Sequence, residues 1–143
     1  DWGATHQGYF SDITRTYALG NSVDEKLLQA YEAVKLANSK GRAKARVGVS
    51  AGAVDKAVRK IIEDRGFGEF FTHRTGHGLG LEIHEEPYIK PKNELKLRQG
   101  MTFTIEPGIY IPDLGGIRIE DDVWLDSNTC KSLTNISREL VIL

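Results

Sequence analysis

Past residue 70 the chain reads as short β-like segments punctuated by glycine and proline: HRTGHGLGLEI, GMTFTIEPGIYI, GGIRIEDDVWL and LTNISRELVIL. Several alternate apolar with polar residues, the mark of a strand buried on one side. Two helical stretches precede them. Ser22 and Glu25 make a capping-box pattern, followed by Leu27, Tyr31 and Val34 at helical spacing. That predicts a helix from Ser22 to about Arg46, broken by Val47-Gly48-Val49. Ser50 is expected to cap a second helix, with Val54, Val58, Ile61 and Ile62 as its apolar stripe and Gly66 as its stop. The opening DWGATHQGYFSDITRTYALG reads as a hairpin, with a polar turn at Thr5 to Gln7 between Gly3 and Gly8, and ITRTYAL rich in β-formers. A hairpin, two helices and then a run of strands implies an α+β fold, with helices covering one face of a mostly antiparallel sheet.

At 143 residues the chain is the size of one domain. A formal net charge of -1 gives no global field toward nucleic acid or anionic lipid. No apolar run approaches the ~18 residues of a membrane span, and no signal peptide is visible. The single cysteine, Cys130, cannot form an internal disulfide, which favours a reducing, cytoplasmic setting. It reads as a small buried or edge thiol. The chain starts on Asp1, on what reads as a strand, which suggests a piece of a longer polypeptide.

Strand parity places the acids together. Asp12, Thr14 and Thr16 share one face of SDITRTY. Thr102, Thr104 and Glu106 share one face of MTFTIE, and Arg118 and Glu120 one face of GIRIE. A plain solvated face would carry more Lys and Glu. Here the partners are Thr and Gly, and the acids sit beside Gly and Pro breaks, where strands end or bend and sites are built. Three of the four histidines, His73, His77 and His84, fall within HRTGHGLGLEIHE among glycines that let the backbone approach a ligand. The seven-residue offset of His77 and His84 would point them apart on a regular strand, so both reach one site only if the chain turns. His6 falls in the expected turn and reads as a surface residue. Carboxylates converging on one face either raise their pKa values or bind cations. Oxygen ligands with imidazole suit Mn²⁺, Fe²⁺, Co²⁺ or Zn²⁺.

Four stretches in this order, DWGATHQGYFSDITRT, GHGLGLEIHE, TIEPGIY and GGIRIED, resemble the metallopeptidases of the pita-bread fold. That group includes methionine aminopeptidase, aminopeptidase P and prolidase. HRTGHGLGLEIHEEP and IEPGIYIPDLGGIRIEDD look most like Xaa-Pro dipeptidases and Xaa-Pro aminopeptidases. The resemblance implies a curved, mostly antiparallel sheet and two divalent ions, Mn or Co, with Zn or Fe possible. Asp1 would chelate one ion, Asp12 and Glu120 would bridge both, and His77 and Glu106 would hold the other. Glu106 would also act as general base and proton shuttle beside a metal-bridging hydroxide. His84 would stabilise the tetrahedral intermediate, His73 would line the substrate pocket, and Arg118 would orient a carboxylate ligand or the substrate. Tyr110 matches a position near the site in aminopeptidase P.

The implied partners are short proline-containing peptides, with no nucleic acid or membrane, and a homodimer in the full-length protein. The resemblance also implies that residues 1–143 form the C-terminal part of the catalytic domain, without its first half or any N-terminal domain. A methionine aminopeptidase-like exopeptidase and a non-catalytic binding module or inactive fragment are the alternatives. The intact set of five expected ligands weighs against the second.

Overall fold

The computed structural model describes residues 1–127 and 129–143. Strand β1 (Trp2–His6) pairs antiparallel with β2 (Tyr9–Ile13), from Trp2 opposite Ile13 to His6 opposite Tyr9. The turn is Gln7-Gly8, both at positive φ (51° and 85°), and not Thr5 to Gln7. A two-residue turn of this kind matches the twist of its strands, and glycine adopts that φ without strain. His6 is therefore a strand residue, and it is exposed. The ITRTYAL segment is likewise broken: Thr14 makes one bridge to Glu120, and only Tyr17–Ala18 (β3) is extended and paired again.

Helix α1 (Glu25–Lys44) begins later than the capping-box pattern predicts. Its cap is Asp24, whose Oδ1 accepts the Lys26 N–H at 2.8 Å. Asp24 carries a negative charge at the positive end of the helix, which Ser22 lacks. Helix α2 (Ala51–Asp64) starts after Ser50, which makes no side-chain cap bond, and ends before Gly66 at φ +79°. Ala30, Ala33, Val34, Ala37 and Gly41 form the buried stripe of α1. A Cβ on Gly41 would lie 2.7 Å from Val58 Cγ2 and 2.9 Å from Ile105 Cγ2, so this glycine lets α1 approach α2 and the sheet together.

A five-stranded antiparallel sheet lies beneath the helices. Its members are β4 (Gly76–Gly78), β5 (Glu85–Ile89), β6 (Thr102–Ile105), β9 (Asp121–Leu125) and β10 (Cys130–Ser132), in the order β10-β9-β6-β4-β5. Cys130 lies on an edge strand, and burial pushes its thiol up to about 11. A separate pair, β7 (Gly108–Ile111) with β8 (Gly115–Arg118), continues the line of β6 and β9. A short β11 (Val141–Ile142) runs parallel to β3.

MTFTIEPGIYI and GGIRIEDDVWL are thus two arms of one long hairpin folded across its middle. Thr104 faces Asp122 in one half, and Gly108 faces Arg118 in the other. Glu106-Pro107 and Ile119-Glu120 occupy the fold line. Pro107 has no N–H for a ladder. The Glu106 N–H goes instead to Thr75 O (2.8 Å), and the Glu120 N–H to Thr14 O (3.1 Å). From the helix side, buried Asn38 Nδ2 donates to Ile105 O (3.0 Å) and Ile119 O (3.4 Å). Phe103, Ile105, Ile109, Ile117 and Ile119 are buried under the helices, each contributing roughly 1.5–3 kcal/mol of transfer free energy. Alternation then turns the even-numbered side chains to the opposite face. Among the described residues, no helix is long and apolar enough to cross a membrane.

Candidate metal centre

The fold line carries Glu106 and Glu120 on the face away from the helices. Strand β2 brings Asp12 beside them, Asp1 sits just before β1, and His77 is the middle residue of β4. These five side chains line one cleft of about 460 Å³ with His73, Arg74, His84 and Arg118. Their ligand atoms form overlapping groups, each within 4.8 Å: Asp1, Asp12 and Glu120; His77, Glu106 and Glu120; and Asp12, His77 and His84. The five residues expected as metal ligands are brought together.

The imidazole of His77 tests whether a cation fits. Its Nδ1 lies 3.0 Å from Gly78 O, so that nitrogen carries the proton. Burial pushes its pKa down to about 4, so the ring is neutral near pH 7. The contacts of Nε2 with Glu106 Oε1 (3.3 Å) and Asp12 Oδ2 (3.6 Å) are therefore not ion pairs. A nitrogen lone pair faces carboxylate oxygens, which is favourable only with a proton or a cation between them. The carboxylates agree. Burial, then Glu106, pushes Glu120 up to about 8; burial pushes Glu106 up to about 7 and raises Asp12. Oxygen donors with one free imidazole nitrogen fit a borderline-to-hard divalent ion.

Supporting residues fix the ligands. Thr14 Oγ1 donates to Glu120 Oε2 at 2.6 Å, and Thr104 Oγ1 donates to Glu106 Oε1 at 3.2 Å while accepting the His77 N–H at 3.1 Å. Asp122 Oδ2 accepts the Asp12 N–H at 3.0 Å. Sequence reasoning put both threonines on the polar face without giving them a role, and passed over Asp122. The alternation that singled out Arg118 and Glu120 runs on to Asp122, so the signal was available.

The remaining site residues divide. His84 stands over His77, ring centroids 4.3 Å apart and edge to face. The chain reverses between β4 and β5, with Gly78 opposite Glu85, which brings both histidines to one place. His73 lines the cleft between Phe71 and Tyr110, and its Nδ1 faces Arg74 O at 2.7 Å. Arg118 pairs with Asp1 and donates to Thr14 Oγ1 (3.1 Å) and the Tyr110 hydroxyl (2.9 Å). Its guanidinium is thus engaged by an expected ligand. Among the described residues, Tyr110 meets the site through Arg118 and His73. Arg74, also in the cleft, drew no notice in the sequence.

The sequence profile of metallopeptidase family M24 matches residues 1–127. An Xaa-Pro dipeptidase of Pyrococcus horikoshii is 48% identical over 141 residues, which are 99% of this chain and 40% of that protein. The crystal structure of a Thermococcus sibiricus prolidase superposes with a TM-score of 0.95 at 50% identity, covering 99% of this chain and 38% of that one. An X-Pro aminopeptidase from Thermotoga maritima superposes at 0.93 with 38% identity, covering 99% and 40%. The chain thus spans about two fifths of the length of these relatives, and the fold is the pita-bread fold that the resemblance implied. With the profile match over most of its length, the chain belongs to metallopeptidase family M24.

Proposed function

We propose that the protein containing this chain is a dinuclear metallo-exopeptidase that cleaves the bond preceding proline in Xaa-Pro dipeptides. The observation that carries this reading is the convergence of Asp1, Asp12, His77, Glu106 and Glu120 on one cleft, with a neutral imidazole lone pair facing carboxylates. Asp1 would hold one ion, Asp12 and Glu120 both, and His77 and Glu106 the other. Mn²⁺ or Co²⁺ is proposed, and Zn²⁺ or Fe²⁺ suits the same donors. The substrate class comes from the relatives named Xaa-Pro dipeptidase and prolidase. Bound there, such ions would supply Lewis-acid polarisation of the scissile carbonyl and would lower the pKa of water.

The protein groups supply the proton traffic. Glu106, fixed by Thr104, takes a proton from the attacking water and returns it to the leaving nitrogen as the C–N bond breaks. That delivery matters for proline, whose nitrogen has no N–H before cleavage. His84, exposed at the mouth of the cleft, donates toward the developing oxyanion. The test is hydrolysis of Ala-Pro by Mn²⁺-loaded protein, with and without chelator. The expected result is release of proline that chelation stops; proline release unaffected by chelation would contradict the reading.

A further inference from the structure

His77 stands on a strand that its neighbours hold loosely. Strand β4 is only Gly76-His77-Gly78. Its pairing with β5 shifts register between Gly76 and Gly78, and its register with β6 rests on the Gly78–Phe103 pair. Glycine on both sides of His77 gives the backbone wide conformational freedom, so the ladder alone does not fix the imidazole. An anchor comes from outside both the sheet and the cleft. On α2, the buried Asp55 carboxylate accepts from Arg59 Nε and from Thr75 Oγ1, both at 2.8 Å. Arg59 also donates to Phe71 O (3.2 Å) and His73 O (2.5 Å), with its guanidinium carbon 4.3 Å from the Phe71 ring centroid. Thr75 is in turn tied into the sheet. Its N–H donates to Ile89 O (2.9 Å), and its carbonyl accepts the Glu106 N–H (2.8 Å). One ion pair on a helix thus fixes the residue that lies two before His77 and holds the main chain of Glu106.

A buried ion pair stabilises a fold little compared with apolar side chains of the same volume, because desolvation offsets much of the attraction. Apolar side chains cannot hold a hydroxyl and two carbonyl oxygens at set distances, whereas a carboxylate and a guanidinium fork can. The arrangement therefore serves placement more than stability. We propose that Asp55 and Arg59, acting through Thr75, are positioning residues for the metal centre: they set where His77 and Glu106 stand relative to each other. Neither lines the cleft. The inference rests on the metal-centre reading and deepens it. Ligands work only when held within about 0.5 Å of the productive geometry. Loss of a partner that orients a metal ligand typically costs ~10- to 100-fold in metal affinity.

The test uses three variants. Thr75→Val replaces the hydroxyl by a methyl, Thr75→Ser keeps the hydroxyl and loses the methyl, and Arg59→Lys keeps a charge beside Asp55 and loses the fork. Each is titrated calorimetrically with Mn²⁺ and melted in chelator. Thr75→Val and Arg59→Lys should weaken the ion held by His77 and Glu106 roughly 10- to 100-fold, and the ion held by Asp1 less. Thr75→Ser should keep wild-type affinity even where the lost methyl lowers its melting temperature. Affinity unchanged in Thr75→Val and Arg59→Lys, or affinity that follows melting temperature in all three variants, would overturn the proposal. Amide hydrogen exchange of the metal-free protein separates this outcome from failure of the metal-centre reading. If the wild type takes up no Mn²⁺, that reading fails. The positioning role then stands only if the His77 and Glu106 amides exchange faster in Thr75→Val than in Thr75→Ser while those of β9 keep wild-type protection. Equal exchange in the two variants, or faster exchange throughout the sheet, overturns it.

Discussion

Glu106 and Glu120 show how position alone changes the chemistry of a carboxyl group. Each is held at the fold line by a threonine hydroxyl and surrounded by other acids, and burial raises both pKa values. An acid whose folded pKa lies above its unfolded value contributes its full stability below the unfolded value and loses it as pH rises through the folded one. For Glu120 that window runs from 4.5 to about 8. Metal-free protein should therefore melt at lower temperature as pH rises through this range, and Glu120→Gln should flatten the dependence. Melting curves in chelator would show it; parallel slopes for wild type and variant would mean that Glu120 is not the source of the dependence. Glu106→Gln should keep the fold and lower kcat by roughly 10²- to 10⁴-fold, the usual weight of a positioned acid–base group. Circular dichroism and turnover together check this, and unimpaired turnover would take Glu106 out of the proton path. His84→Ala should lower kcat by about 10²- to 10³-fold with little change in metal content. Loss of metal instead would make His84 a ligand, consistent with its membership of a group with Asp12 and His77.

Among the elements, the folded hairpin β6–β7/β8–β9 does the most to build the site. Its apolar face is pressed under α1 and α2, and Asn38 of α1 satisfies two carbonyls at the fold line. Asn38→Leu leaves those buried carbonyls without their donor and should cost about 1–3 kcal/mol, read as a lower urea midpoint. An unchanged midpoint would mean that the strand ladders alone hold the bend. Much of this element was legible from alternation, because one side of each strand had to be apolar to meet the helices. The acids on the other side, and the Gly and Pro breaks beside them, marked the site. What alternation could not reveal depends on distant partners. Arg118 meets Asp1 across nearly the whole sequence, and the backbone around Arg74 is clamped to α2 by Arg59 and Asp55. Local competition also hid details: Asp24 displaced Ser22 as the cap, and Gln7-Gly8 displaced the longer turn.

Taken as a whole, the chain gathers the proposed ligands from its first residue, a hairpin, a glycine-rich strand and the two arms of a bent hairpin, so metal binding there would be coupled to tertiary structure. It does so over about two fifths of the length of its relatives. These five side chains are proposed to form a two-ion centre. Calorimetric Mn²⁺ titration of the chelator-stripped protein, with elemental analysis of the product, tests it most directly. The expected result is two ions per chain, with Glu120→Gln weakening both because its carboxylate would bridge them. Absence of uptake by the wild type, or uptake that Glu120→Gln leaves unchanged, would contradict the account.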